Sequence, residues 1–314
     1  MPPRVRRLLA AVCLATVLPA LAIAAEPPRV VASVAPVHSI VAAVMEGVGE
    51  PVLLMDGATS PHGAALRPAQ ARAVQEAGVV FWVGPALEAF LRKPLSNLPE
   101  GRAVTLVDAP GLTYREPALA AMNEGHDDHD HDHDHVHEGE AKGDAHIWLD
   151  PANGIAMARQ AAESLAKADP ARADTYRANA DAYAKRLTKT QAAMKAKLAP
   201  VREKGFVVFH DAYAHFAGAM ELRIADVVTV SPDTPMSAAR LASVRRELGA
   251  REGTCAFAEP QFPDRVVQQA VSGTGALTGV LDPLGAKLEA GPDLYPNLLR
   301  NMADAIAACL SKTG

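Results

Sequence analysis

Long apolar runs are scarce in this 314-residue chain. One covers residues 8–23, behind Arg4, Arg6 and Arg7, and no second follows it. That run is short for a membrane span, and small residues at Ala22-Ile23-Ala24 offer a cleavage site. The pattern predicts a secretory leader over residues 1–25. Cys13 lies inside it but follows Val12, without the small residue usual before a lipidated cysteine. The expected product is a soluble exported protein with no stable membrane insertion.

An excess of positive charge is also missing. Lys and Arg total 31 against 36 Asp and Glu, a net charge of −5. The basic residues are dispersed, which argues against a nucleic-acid partner. Cysteine is nearly absent: beyond the leader only Cys255 and Cys309 remain. An even pair in an exported chain favours a disulfide, worth about 4 kcal/mol by loop-closure entropy. Two buried thiols are the alternative. Neither cysteine has a nearby His or Cys, so a zinc site built on them is disfavoured. No HExxH helix and no nucleophile elbow is present, which removes the usual signatures of a zinc or serine hydrolase. Glu259 and Asp211 are the nearest candidates for a general base, and both have ordinary structural readings.

Histidine is the residue that stands out. Residues 126–137 read HDDHDHDHDHVH, placing His126, His129, His131, His133, His135 and His137 among carboxylates. Such a stretch is too charged to bury. Imidazole ligates borderline divalent metals, so the tract reads as an accessory collector of zinc or a similar ion. An acidic linker with incidental histidines is the bland alternative. Few large apolar residues flank it, so it is expected as a disordered insertion at about 117–142.

Elsewhere short β-branched runs alternate with helical stretches. Strands are predicted at 30–34, 52–54, 79–83, 206–209, 227–230, 255–258 and 279–281. Helices are predicted at 39–45, 68–77, 212–219, 238–248, 263–271 and 295–310. This alternation predicts an α/β protein with parallel sheets covered by helices. Residues 170–198 break the rhythm: rich in Ala, Lys, Arg and Gln, they carry no glycine. Asp169-Pro170 is a helix start signal. One helix of this length would run roughly 43 Å; two shorter helices with a bend are the alternative. The expected plan is a first lobe over 26–168, a linking helix over 169–199 and a second lobe over 200–314.

Several of the remaining metal-competent residues fall at or just after strand ends. His62 follows the second strand, His210 directly follows Val207-Val208-Phe209, and Glu259 and Asp282 directly follow two later strands. His146 sits in Asp144-Ala145-His146-Ile147-Trp148-Leu149-Asp150-Pro151. Ligands of parallel α/β sheets bind outside the carboxyl ends of strands. A metal held by His62 and His146 on one lobe, and His210 and Asp282 on the other, would lie between them. Three imidazoles and one carboxylate suit four-coordinate zinc. His38, opening the first helix, is a lesser candidate. His215 reads as structural or solvent-facing.

These segments resemble a known family. Pro61-His62 with Leu66-Arg67-Pro68, Trp82-Val83-Gly84-Pro85, the Asp144 segment, Phe209-His210-Asp211-Ala212-Tyr213, Glu259-Pro260-Gln261-Phe262 and Leu281-Asp282-Pro283-Leu284-Gly285 are similar to the zinc-binding solute receptors (ZnuA-type) of high-affinity zinc-uptake ABC transporters. The resemblance implies two α/β lobes joined by one long helix, with one tight zinc ion in the cleft. It carries the family's histidine ligands onto His62, His146 and His210, and the late carboxylate onto Asp282. It matches Cys255 and Cys309 to a disulfide, and the His-rich insertion to zinc-type members. Its implied setting is the periplasm and its implied partner an ABC transporter permease; a monomer and no enzymatic activity are expected. Pro61 stands where some members carry a metal-binding Glu, so the fourth ligand is Asp282 or a water. Glu259 is expected just outside the ligand set. Three imidazoles favour zinc over manganese or iron, and manganese-type relatives place a carboxylate where His210 stands; copper and nickel remain open. An exported zinc buffer without a transporter is the competing reading.

Overall fold

The structure is a computed structural model that describes residues 26–123, 143–229, 236–250 and 254–312. The leader expected over residues 1–25 and the histidine tract at 126–137 lie outside the described residues.

The first lobe opens on β1 (Val30–Val34), all of it buried. It runs directly into α1 (Ala35–Val44), with Pro36 in the first turn, where the absent N–H would have had no partner in any case. The expected start near residue 39 was late because Pro36 reads as a break when it is in fact an opening. Then come β2 (Val52–Met55), α2 (Pro68–Glu76), β3 (Val79–Trp82), α3 (Arg92–Ser96), β4 (Ala103–Thr105) and α4 (Ala118–Asn123). The four strands form one parallel sheet in the order β2-β1-β3-β4. Parallel sheets are covered on both faces, so central strands read as continuous apolar runs; β3 is VVFW, buried throughout.

One long helix joins the lobes, and a shorter one leads into it. α5 (Pro151–Ala168) is capped by Asp150, whose side chain accepts from the Ala152 N–H, with Pro151 at its first position. α6 (Ala173–Leu198) is 26 residues long, about 39 Å at 1.5 Å per residue. Residues expected as its first turn form instead a separate tight turn, Pro170–Arg172. Asp169 holds that turn, accepting from Arg172 at 2.8 Å and from the Tyr176 hydroxyl at 2.9 Å. Along α6 the buried residues Tyr176, Ala180, Tyr183, Leu187, Thr190, Met194 and Leu198 recur every three or four positions, a single stripe facing its neighbours.

The second lobe repeats the plan. β5 (Gly205–His210), α7 (Ala214–Met220), β6 (Arg223–Thr229), α8 (Ala238–Gly249), β7 (Cys255–Ala258), α9 (Arg265–Val271) and β8 (Leu277–Val280) build a parallel sheet in the order β6-β5-β7-β8. α10 (Leu294–Leu310) then packs against α1 and α6. A disulfide joins Cys255 on β7 to Cys309 on α10.

One apolar cluster runs through both lobes, including Ile40, Met157, Leu187, Phe206 and Leu299. Smaller clusters lie under α2 and α3 and under α8 and α9. In each sheet the chain starts at an interior strand, moves to one side, then crosses to the other. Each lobe therefore has a switch point at the carboxyl end of its strands. Among the described residues, no helix is long and apolar enough to cross a membrane.

Candidate metal centre

Three imidazoles meet between the two sheets. His62 comes from the loop after β2, His146 from the segment before α5, and His210 is the last residue of β5. Their ligand atoms all lie within 4.8 Å of one another. His146 Nε2 stands 3.2 Å from His62 Nε2 and 3.3 Å from His210 Nε2. A tetrahedral zinc ion with bonds of 2.0–2.1 Å would set its ligand nitrogens about 3.3–3.4 Å apart. The cavity they line is about 10 Å³, with Pro61, Trp148, Gln261, Phe262 and Leu284 in its walls. That is room for about one water-sized particle.

Carboxylates orient two of the three rings. His146 Nδ1 donates to Asp144 Oδ1 at 2.7 Å, and the same oxygen accepts the His146 backbone N–H at 3.0 Å. His210 Nδ1 donates to Glu259 Oε1 at 2.7 Å. A proton on Nδ1 leaves the Nε2 lone pair free for a metal, and the carboxylate raises the ring's basicity. Among the described residues no carboxylate holds His62 Nδ1. Its anchor is a backbone one, the His62 N–H donating to Ser60 Oγ at 3.4 Å.

The electrostatics follow from these partners. Burial, joined by the neighbouring imidazoles of His146 and His210, lowers the His62 pKa to about 3. For His210 burial acts the same way, but the Glu259 carboxylate outweighs it and raises the pKa. Burial likewise opposes the charge on Asp144, yet the His146 ring lowers its pKa below the usual value. The centre is thus built to hold a cation: three imidazole nitrogens inside, with carboxylates behind two of the rings.

Asp282 is not part of this group. Its Oδ1 accepts from the backbone N–H groups of Leu284 and Gly285 at 3.2 and 2.8 Å and from Gln261 Nε2 at 2.9 Å; its Oδ2 accepts from the Ala286 N–H at 2.6 Å. The expectation that it ligates metal rested on its place after a strand. In the structure the turn that follows β8 has taken up its oxygens. Glu259 stands behind His210, as its sequence position suggested. His38 lies apart, its Nε2 against the Pro51 carbonyl at 2.9 Å. His215 is fully buried and donates from Nε2 to the Asp144 carbonyl at 3.0 Å, which steadies the segment that carries His146. Asp211 Oδ1 and Oδ2 accept from the N–H groups of Ala118 and Leu119, fixing the start of α4. Asp144 and Gln261 went unassigned from sequence; for Asp144 the Asp-x-His spacing was the available signal.

Residues 30–309 match the family described as "Zinc-uptake complex component A periplasmic". A curated relative from Brucella suis, the high-affinity zinc uptake system protein ZnuA, is 44% identical, with 92% of this chain and 94% of the relative covered. A solved structure of ZnuA superposes with a TM-score of 0.74 at 22% identity, covering 90% of this chain and 99% of that one. The solute-binding protein FpvC of Pseudomonas aeruginosa, solved with Mn2+, reaches 0.74 at 20% identity, covering 92% and 100%; likeness at that level speaks of the fold alone. With nearly its whole described length matched, this chain belongs to the family of periplasmic zinc-uptake complex component A proteins.

Proposed function

We propose that this protein is the exported zinc receptor of an ABC transporter: it captures one zinc ion tightly between its lobes and delivers it to a membrane permease. The observation that carries the reading is the convergence of three Nε2 atoms, two of them on rings held by buried carboxylates. In this reading His62, His146 and His210 are neutral donors to zinc, and Asp144 and Glu259 orient the rings. The leader over residues 1–25 directs export to the periplasm, and the receptor works there as a monomer. The tract at 126–137 collects further ions weakly. A receptor role without catalysis agrees with the family.

The shared apolar core and the long linking helix support small relative tilts of the lobes rather than a wide hinge. Release then depends on the permease disturbing the ligand loops.

Zinc content and competition titration of the mature protein beside His210→Ala test the proposal. The wild type should hold one tight zinc and prefer it to manganese. His210→Ala should lose that site by more than about a hundredfold, beyond the cost of losing an outer partner. Equal tight binding by both proteins would move the function to the histidine tract and favour an exported zinc buffer.

A further inference from the structure

Gln261 lines the same cavity as the three histidines. Its Nε2 donates to the Gly57 carbonyl at 2.6 Å and to Asp282 Oδ1 at 2.9 Å. Both partners can only accept, so the amide orientation is fixed by chemistry: NH2 toward them, carbonyl away. That carbonyl oxygen, Oε1, is buried and has no hydrogen-bond partner among the described residues. Leaving a buried acceptor without a partner is costly, an arrangement expected where something else is meant to meet it.

The two anchors come from opposite lobes. Gly57 lies in the loop that leads from β2 to His62, and Asp282 follows β8. The Gly57 loop is pressed onto the second lobe: a Cβ at Gly57 would come within 2.6 Å of the Leu284 carbonyl. The amide is therefore held from both sides of the cleft, and the neighbouring cavity has space for one particle only.

Resting on the zinc reading above, we propose that Gln261 Oε1 is the fourth donor to the ion, completing a site of three imidazole nitrogens and one neutral amide oxygen. Asp282 then acts as a positioning residue: it turns the amide and does not touch the metal. The donor set carries no net charge of its own, and its compensating anions, Asp144 and Glu259, sit one bond further out. A carboxylate as fourth donor would favour oxygen-seeking ions such as manganese; an amide does not add that charge.

The test compares Gln261→Met, Asp282→Asn and His210→Ala with wild type by zinc competition titration and by the visible absorption spectrum of the cobalt(II)-loaded proteins. Thermal melts of the metal-free proteins check folding. Gln261→Met should weaken zinc about tenfold or more, within the range that loss of a single supporting group costs a metal site, and should change the cobalt spectrum. Asp282→Asn keeps an acceptor oxygen for Gln261 and should do less on both counts. The reverse order, with Asp282→Asn altering the spectrum and Gln261→Met leaving it alone, would overturn the proposal and make Asp282 the ligand. An unchanged spectrum and affinity in both variants would also overturn it, leaving solvent at the fourth position. Failure of the zinc reading itself looks different: His210→Ala would then bind as wild type does. Should Gln261→Met melt far below wild type, Gln261→Asn, which keeps the amide but shortens its reach, gives the same spectral comparison.

Discussion

Each lobe buries a glutamate just beyond the third strand of its sheet, and the two have opposite uses. In the first lobe Glu88 is fully buried, and its Oε2 accepts the N–H groups of Val83 and Gly84 at 2.8 and 3.0 Å. In the second, Glu259 is equally buried but faces an imidazole, His210. One carboxyl closes a turn; the other equips a ligand. The same strand order thus provides the same crevice twice, and which groups face the buried acid decides whether that crevice holds the fold or binds an ion. A second asymmetry accompanies the first. The lobe that supplies His210 is tied to α10 by a disulfide, while the first lobe has no such tie among the described residues.

The largest effect should come from that tie. Cys255 and Cys309 are 54 residues apart, and loop-closure entropy for that length is worth about 4 kcal/mol. The double variant Cys255→Ala/Cys309→Ala should lose roughly that much in denaturant unfolding. Because one apolar cluster spans both lobes, the loss should appear as a single shifted transition. Two resolved transitions would break the comparison from the other side, showing lobes that unfold as separate units.

Next in size is the contrast between the ligands. Glu259→Gln should reduce zinc affinity about 10- to 100-fold, the usual cost of an outer-shell partner. Its pH dependence sharpens the point. Zinc needs the lone pair that a proton would occupy, so affinity falls as pH drops through the ligand pKa. Glu259 raises the His210 pKa against the pull of burial, so wild-type affinity should begin to weaken while pH is still above the ordinary histidine value. In Glu259→Gln the onset should move to lower pH. Zinc titrations between pH 5.5 and 8 decide this; identical onsets would deny Glu259 its influence on the ring.

How much of this was legible in the sequence depends on what kind of contact was at stake. His210 was readable because a strand end faces the crevice whatever the side chain is; His62 lies in the loop after β2 and His146 in the segment before α5, and for those two the family resemblance carried the reading. The same logic proposed Asp282, where it met competition: three backbone N–H groups of the following turn reach that carboxylate, and sequence does not show which acceptor a turn will claim. α5 went unpredicted because its core face is mostly alanine, with Met157 and Leu165 the large apolar residues fully buried on it; Gly154 is small because the Tyr295 ring packs on it. β4, of three residues, was too short to stand out. Gln261 stood in a segment that carried the family resemblance, Glu259-Pro260-Gln261-Phe262, but drew no role there, since its anchor Gly57 is 204 positions away in the chain.

The smallest predicted effect concerns Glu88. Burial raises its pKa to about 7, against the help of the backbone N–H groups. The unfolded carboxyl ionises near its ordinary value, so between that value and 7 the folded chain holds a proton the unfolded chain has released. The sign follows directly: a raised folded pKa gives a contribution that is complete below the unfolded pKa and is lost as pH rises through 7. Glu88→Gln cannot ionise. Its amide oxygen can still accept the Val83 and Gly84 N–H groups, and its NH2 faces Ser33 as the O–H of the protonated acid does. The variant should therefore melt close to wild type at pH 5 and above it by pH 8, where the wild type has lost its contribution. Zinc affinity at pH 7.5 should not change, because Glu88 touches none of the three histidines. A constant gap across the range would mean that Glu88 keeps one protonation state throughout, and a fall in zinc affinity would mean that the two buried acids are less different than their surroundings imply.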